Sequence, residues 1–142
     1  METHMIFETH AHYDDEAFDQ DREVLLDSME KHGVGYIVNA CASLESLKAT
    51  EELMRKYTFV YGAFGIHPDD ADKMTEETLK EIRRLCQLPK AVAIGEIGLD
   101  YYWHKEEQEH EIQKKMFLVQ MEIAREEKMP FMIHSREAAK DT

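Results

Sequence analysis

The chain has 142 residues, 43% hydrophobic and 33% charged. That is one domain's worth of sequence with enough apolar material for a core, and it excludes an intrinsically disordered chain. A formal charge of -13 excludes nucleic-acid binding through a broad basic face, but not an enzyme whose bound cations invert the local sign. No run reaches the roughly 18 apolar residues of a membrane helix, and the N-terminus lacks a secretory pattern, so a cytoplasmic protein is expected. Cys41 and Cys86 sit in apolar surroundings without CxxC spacing and read as reduced core thiols.

Residues 1–4, "METH", read as an extension before Met5 and carry no assigned ligand. The domain then runs from 5 to 142. Its first predicted strand, Met5 to Thr9, is an apolar run of the kind covered on both faces. Phe18, Val24, Leu25 and Met29 recur at helical spacing, and Gly33 closes that helix as a C-terminal cap. "GYIVNA" (35–40) is a second strand. Ser43 is an N-cap for a helix marked by Leu44, Leu47 and Met54.

"TFVYGAF" (58–64) is a third strand, ending before Gly65-Ile66-His67-Pro68. Thr75 caps a helix whose Leu79, Ile82 and Leu85 share one face. Residues 91–94 form a fourth strand leading into "GEIGLDYYW", and the longest helix runs from about Glu106 to Lys128. A fifth strand, 130–133, ends at His134; Ser135 is expected to cap a helix starting at Arg136-Glu137. His32, His104 and His110 lie in or beside helices without partner spacing and read as surface residues.

Alternating strands and helices imply a parallel sheet with right-handed crossovers. Both a doubly wound sheet and a TIM-type barrel fit that pattern. The barrel is favoured because ligand-type side chains fall at the C-terminal ends of four strands, the face that carries chemistry in β/α barrels. Five strands of a required eight make the expected barrel incomplete.

His10 and His12 are two apart on a strand, so their imidazoles point the same way and can face one cation. Alone, an HxH pair is equally a solvated strand end. Glu96, between Gly95 and Gly98, follows an apolar strand where a solvated carboxylate is out of place; it can bridge two cations, or be a buried carboxylate bonded to backbone. His134 is a further ligand or a satisfied core histidine. His67, beside Pro68, reads either as a substrate contact or as part of a fixed turn. Arg136 can grip a phosphate or pair with a surface carboxylate. Asp100, Tyr101 and Tyr102 can position Glu96 or stack on a base. Four strand ends presenting ligand types to one rim make a metal site the favoured joint reading.

"THAHYDD", "GIHPDD", "AIGEIGLDYYW" and "MPFMIHSREA" together resemble the TatD family of metal-dependent deoxyribonucleases, within the amidohydrolase-like barrel hydrolases. The resemblance runs in order from Met5 and covers the family's first five strands. It implies a β/α barrel, two divalent metal ions (Mg2+, Mn2+ or Zn2+) and hydrolysis of DNA phosphodiesters. It also implies His10 and His12 as ligands of one metal, Glu96 as the catalytic bridge, His134 on the second metal, and His67 and Arg136 as substrate contacts. Glu8 stands where the family commonly has Asp. In the family a further histidine ligand and a catalytic aspartate come from later strands, so the expectation is a truncated chain with an incomplete site that retains one ion rather than two. A related barrel hydrolase acting on amides or lactones is disfavoured by "GEIGLDYY". Open strand edges lead to the further expectation of a homo-oligomer, and a catalytically impaired, oligomeric metal-binding remnant is the alternative function.

Overall fold

The computed structural model describes residues 5–142; the extension at 1–4 lies outside the described residues. Five strands form one sheet in the order β1-β2-β3-β4-β5, each pair parallel. They are β1 (Ile6–Ala11), β2 (Val34–Ala40), β3 (Val60–Ala63), β4 (Ala91–Asp100) and β5 (Phe131–Arg136). The helices are α1 (Arg22–Asp27), α2 (Leu44–Lys56), α3 (Glu76–Cys86) and α4 (Glu107–Glu127). Strand order equal to chain order is the order of a barrel wall, and four consecutive β/α units followed by a fifth strand give a half-barrel.

The caps explain where two helices begin. Ser43 and Ser46 bond reciprocally at the start of α2, and Thr75 and Thr78 do the same at α3. In each case orphan backbone donors of the first turn are satisfied. The helix expected across Phe18–Met29 is instead three short pieces: 3-10 turns at Glu16–Phe18 and Glu30–His32 flank α1. Gly33 does cap the segment, at a left-handed φ of 80°.

Side chains alternate across the sheet and make two apolar clusters. The larger packs Ile37, Val60, Ile94, Ile97 and Leu99 against Leu53, Leu85 and Ile123 of the helices. The smaller, Val38, Ala40, Ala63 and Ala93, consists of short side chains on the opposite face. Both cysteines are buried and unbridged, and burial pushes the Cys41 thiol up to about 12.

Three strand expectations change. β1 is not covered on both faces: it lies at the sheet edge, with Ile6 and Phe7 more than half exposed. β4 does not stop at Ile94 but continues to Asp100, so "GEIGLD" is buried strand rather than loop. β5 likewise carries on through His134, Ser135 and Arg136. Ser135 therefore caps no helix; its hydroxyl meets that of Thr142 at 2.9 Å.

Gly98 shows what the extension of β4 requires. It pairs with His134, and a Cβ on it would stand 1.9 Å from the His134 carbonyl oxygen at a φ of +150°. Neither the space nor the backbone angle suits another residue. Gly98→Ala is expected to destabilise the chain by about 3 kcal/mol or more, at or above the usual range for forcing extra atoms into a packed site, as read by urea denaturation.

Candidate metal centre

The C-terminal ends of β1, β4 and β5 and the segment after β3 bring His10, His12, Glu96, His134 and His67 around one cleft of about 760 Å³. Glu96 stands at its floor, 8% exposed. Its backbone N–H donates to the Cys41 carbonyl just past β2, at 2.8 Å, which ties β4 across the curl of the sheet.

The two carboxylate oxygens of Glu96 serve different histidines. Oε2 lies 3.2 Å from His10 Nε2 and 3.5 Å from His12 Nε2. Oε1 lies 3.1 Å from His134 Nδ1. Two groups of donor atoms result, each with its members within 4.8 Å of one another: His10, His12 and Glu96, and His67, Glu96 and His134.

Hydrogen bonds behind the site orient two of the rings. His12 donates from Nδ1 to the Ala40 carbonyl at 2.8 Å, leaving Nε2 directed at Glu96. His134 Nε2 meets the Asp100 carboxylate at 2.9 Å, leaving Nδ1 directed at Glu96. Partners of this kind fix tautomer and ring orientation in metal sites. A divalent cation fits this donor set, because His12 and His134, each held from behind through one ring nitrogen, aim the other at the shared, buried Glu96 carboxylate.

His67 is placed differently from a simple rim contact. Its ring packs edge-on to that of His134, with centroids 4.1 Å apart. Its Nδ1 accepts from the Asp69 backbone N–H at 3.2 Å, so the neutral ring carries its proton on Nε2. Burial, then the neighbouring His134, lowers its pKa. Arg136, at the end of β5, lies outside the cleft lining, with its guanidinium 3.7 Å above the Tyr102 ring.

Burial pushes the Glu96 carboxyl upward, but the bond to His12 and the fields of His10, His67 and His134 outweigh it and hold the group at about 2. The same bond to Glu96 outweighs burial at His12 and raises that imidazole. Asp100 is lowered: burial works against ionisation, and His134 with the Tyr102 and Trp103 N–H groups more than offsets it.

Several supporting residues escaped the sequence reading. Asn39 is fully buried; it accepts from the Tyr13 N–H and donates to Asp14 and Thr50, fixing the turn after His12. Gln113 and Gln120 of α4 each clamp one strand-end peptide, at Asp100 and at Ile66, by accepting from its N–H and donating to its carbonyl. His104 and His110 are half-buried rather than surface residues. His104 contacts Asp69 and Glu109, and His110 stacks on Tyr101. A signal for the glutamines was present: they lie seven residues apart, two helical turns, on the buried face of α4.

Residues 7–142 match the family described as TatD related DNase. The chain belongs to that family. It is 40% identical over 137 residues to a protein of Bacillus subtilis named uncharacterized metal-dependent hydrolase YabD, across 96% of this chain and 53% of the relative. It is 32% identical over 122 residues to the 3'-5' ssDNA/RNA exonuclease TatD of Erwinia billingiae, across 85% and 46%. The crystal structure of YjjV, a TatD homologue from Escherichia coli, superposes with a TM-score of 0.86 at 28% identity, covering 98% of this chain and 54% of that one. The chain spans about half the length of the curated TatD relatives it matches. The half-barrel expected from the sequence agrees with this likeness.

The shifts set opposite pH dependences for the metal-free and metal-bound chain. His12 is raised above its ordinary 6.5, so its pairing adds stability below that pH and loses it as pH rises through the folded value. Glu96 is lowered from 4.5 to about 2, so its share is present above 4.5 and lost as pH falls toward 2. A metal needs neutral imidazoles. The rise in melting temperature caused by added Mn2+ or Zn2+ is therefore expected to grow between about pH 5.5 and about pH 7.5. A pH-independent rise in thermal-shift measurements would place the metal elsewhere.

Proposed function

We propose that this chain carries the metal-binding half of a TatD-type hydrolase that cleaves phosphodiester bonds of DNA. The observation that carries this reading is the division of Glu96 between two histidine groups, one oxygen to each. His10 and His12 would hold one divalent cation, His134 a second, and Glu96 would bridge them; Mg2+, Mn2+ and Zn2+ are the candidate ions. Bound there, such cations supply Lewis acidity and a water acidified toward neutral pH.

The chain's own residues then have separable tasks. Ala40 and Asp100 hold His12 and His134 in the tautomer that offers a lone pair. His67 presents Nε2–H, a donor suited to a phosphate oxygen. Arg136, outside the cleft lining, adds a guanidinium that can meet a phosphate in bidentate fashion. Charge supports the dependence on metal: among the described residues, five carboxylates besides Glu96 line the cleft, and no lysine or arginine does. A polyanion would enter such a cleft only with the local sign inverted by bound cations.

Purified chain incubated with labelled single-stranded DNA and each metal in turn tests the reading. Glu96→Ala is expected to lower cleavage by more than the ~10–100-fold typical of losing an outer partner of a metal ligand. Metal binding by calorimetry without turnover under any metal favours the remnant reading instead.

Self-association is a second proposal, supported by the sheet edges. Among the described residues, β1 and β5 each have one strand neighbour, and Ile6, Phe7, Phe131 and Ile133 on them are exposed. Unpaired edges with apolar side chains invite pairing with another copy. Light scattering on a sizing column is expected to give at least twice the 16.7 kDa of one chain; a monomeric mass contradicts it.

A further inference from the structure

His104, in the segment between β4 and α4, meets two carboxylates at once. Its Nδ1 lies 3.1 Å from Glu109 Oε1 of α4. Its Nε2 lies 3.2 Å from Asp69 Oδ1, in the turn Pro68–Lys73 that follows β3. An ionised carboxylate only accepts hydrogen bonds, and a neutral imidazole donates from one nitrogen alone. Both contacts are therefore hydrogen bonds only when the ring is an imidazolium. Burial opposes that charge, but the bond to Glu109 and the fields of Asp69 and Glu109 outweigh it and raise the His104 pKa.

The clasp is firmly mounted and has no rival. The His104 carbonyl accepts from His110 Nε2 of α4 at 2.8 Å, so backbone and side chain are both tied to that helix. Asp72 and Lys73 are the other charged groups lining the cavity of about 220 Å³ beside the ring, and Lys73 pairs with Asp70. Among the described residues, no lysine or arginine pairs with Asp69; its ionic partners are His104 and His67.

Asp69 touches His67 in two ways that make opposite demands. Its backbone N–H donates to His67 Nδ1 at 3.2 Å, the bond by which His67 caps the turn. That bond needs a lone pair on Nδ1. The Asp69 carboxylate has its other oxygen, Oδ2, 3.4 Å from the same nitrogen, and a carboxylate there favours a proton on it. The outcome decides which ring nitrogen of His67 carries its proton. With its charge answered by His104, the carboxylate yields to the N–H, and Nε2 keeps the proton. Left unanswered, it draws the proton to Nδ1, and Nε2 then turns a lone pair on a phosphate oxygen instead of a donor.

We infer that His104 is a positioning residue: clasped between Glu109 and Asp69, it keeps the Asp69 carboxylate from claiming His67 Nδ1 and so holds His67 as an Nε2–H donor beside the metal centre. The inference rests on the reading of His67 as a phosphate contact and adds to it the group that governs that contact. The clasp is complete while His104 is charged and opens as pH rises through its folded pKa, above the ordinary 6.5.

NMR of the metal-free chain with 15N-labelled histidine reads the proton on each ring nitrogen without substrate or turnover. Near neutral pH the parent is expected to show His104 protonated on both nitrogens and His67 on Nε2 alone. In His104→Ala the His67 proton moves to Nδ1. His104→Arg, whose fork can serve both carboxylates, restores the parent pattern. In the parent, raising the pH moves the His67 proton as His104 titrates; in His104→Arg it does not. That titration needs no variant, so it decides the matter even where His104→Ala fails to fold. With Mn2+ and labelled single-stranded DNA, His104→Ala is expected to cleave about tenfold more slowly, and no more slowly when combined with His67→Ala than His67→Ala alone. A His67 ring pattern that ignores both the substitution and the titration of His104, or losses that add in the double variant, overturns the positioning role while cleavage itself keeps the nuclease reading. The expected proton shift in a chain that cleaves no nucleic acid keeps the positioning role and overturns the nuclease reading.

Discussion

A carboxylate placed at the floor of a protein cleft dictates what surrounds it. Glu96 is almost fully withdrawn from water, and an ionised group there is tolerated only with compensating partners. Three histidines supply them in the metal-free chain. They come from the first strand, the residue just past it and the fifth strand, so the charge at β4 is answered from both edges of the sheet. Strand order, the curl of the sheet and the close approach of β5 at Gly98 all serve to deliver those rings to one carboxylate. Glu96 raises the His12 imidazole by favouring positive charge beside it, and a cation bound there would meet the same preference.

Much of this was legible from residue spacing. His10 and His12 face one way because a strand repeats every two residues, and Ser43 and Thr75 cap helices because their hydroxyls answer orphan N–H groups. The parallel β/α order followed from the alternation of elements. What stayed hidden depended on burial that no local pattern reports. Gly95 and Gly98 read as loop residues, yet they permit β4 to run on as buried strand. Asp100 is then carried under His134 instead of into solvent. The apolar start of β1 suggested cover on both faces, although the described fold leaves it an exposed edge. Asn39, Gln113 and Gln120 are polar residues in apolar surroundings, and only their three-dimensional partners distinguish a structural clamp from a surface amide.

The site also separates orientation from charge. His12 and His134 are each turned by a group behind them, a carbonyl in one case and a carboxylate in the other. A carbonyl fixes the ring without adding a full charge, whereas Asp100 places a carboxylate behind the His134 ring. The two halves of the centre therefore differ in the charge that stands behind them, although their ligand chemistry is alike. His67, whose Nδ1 is occupied by the Asp69 N–H, is set apart from both by its tautomer.

The two buried glutamines of α4 give that helix a role as a ruler. Seven residues of helix rise about 10.5 Å, and over that length Gln120 holds the peptide of Ile66 next to His67 while Gln113 holds the peptide of Asp100 behind His134. Two loops from different strands are thereby indexed to one rigid rod. Sliding α4 by a single turn would release both together, so the spacing between His67 and His134 is recorded in the register of a helix that contributes no side chain to the cleft.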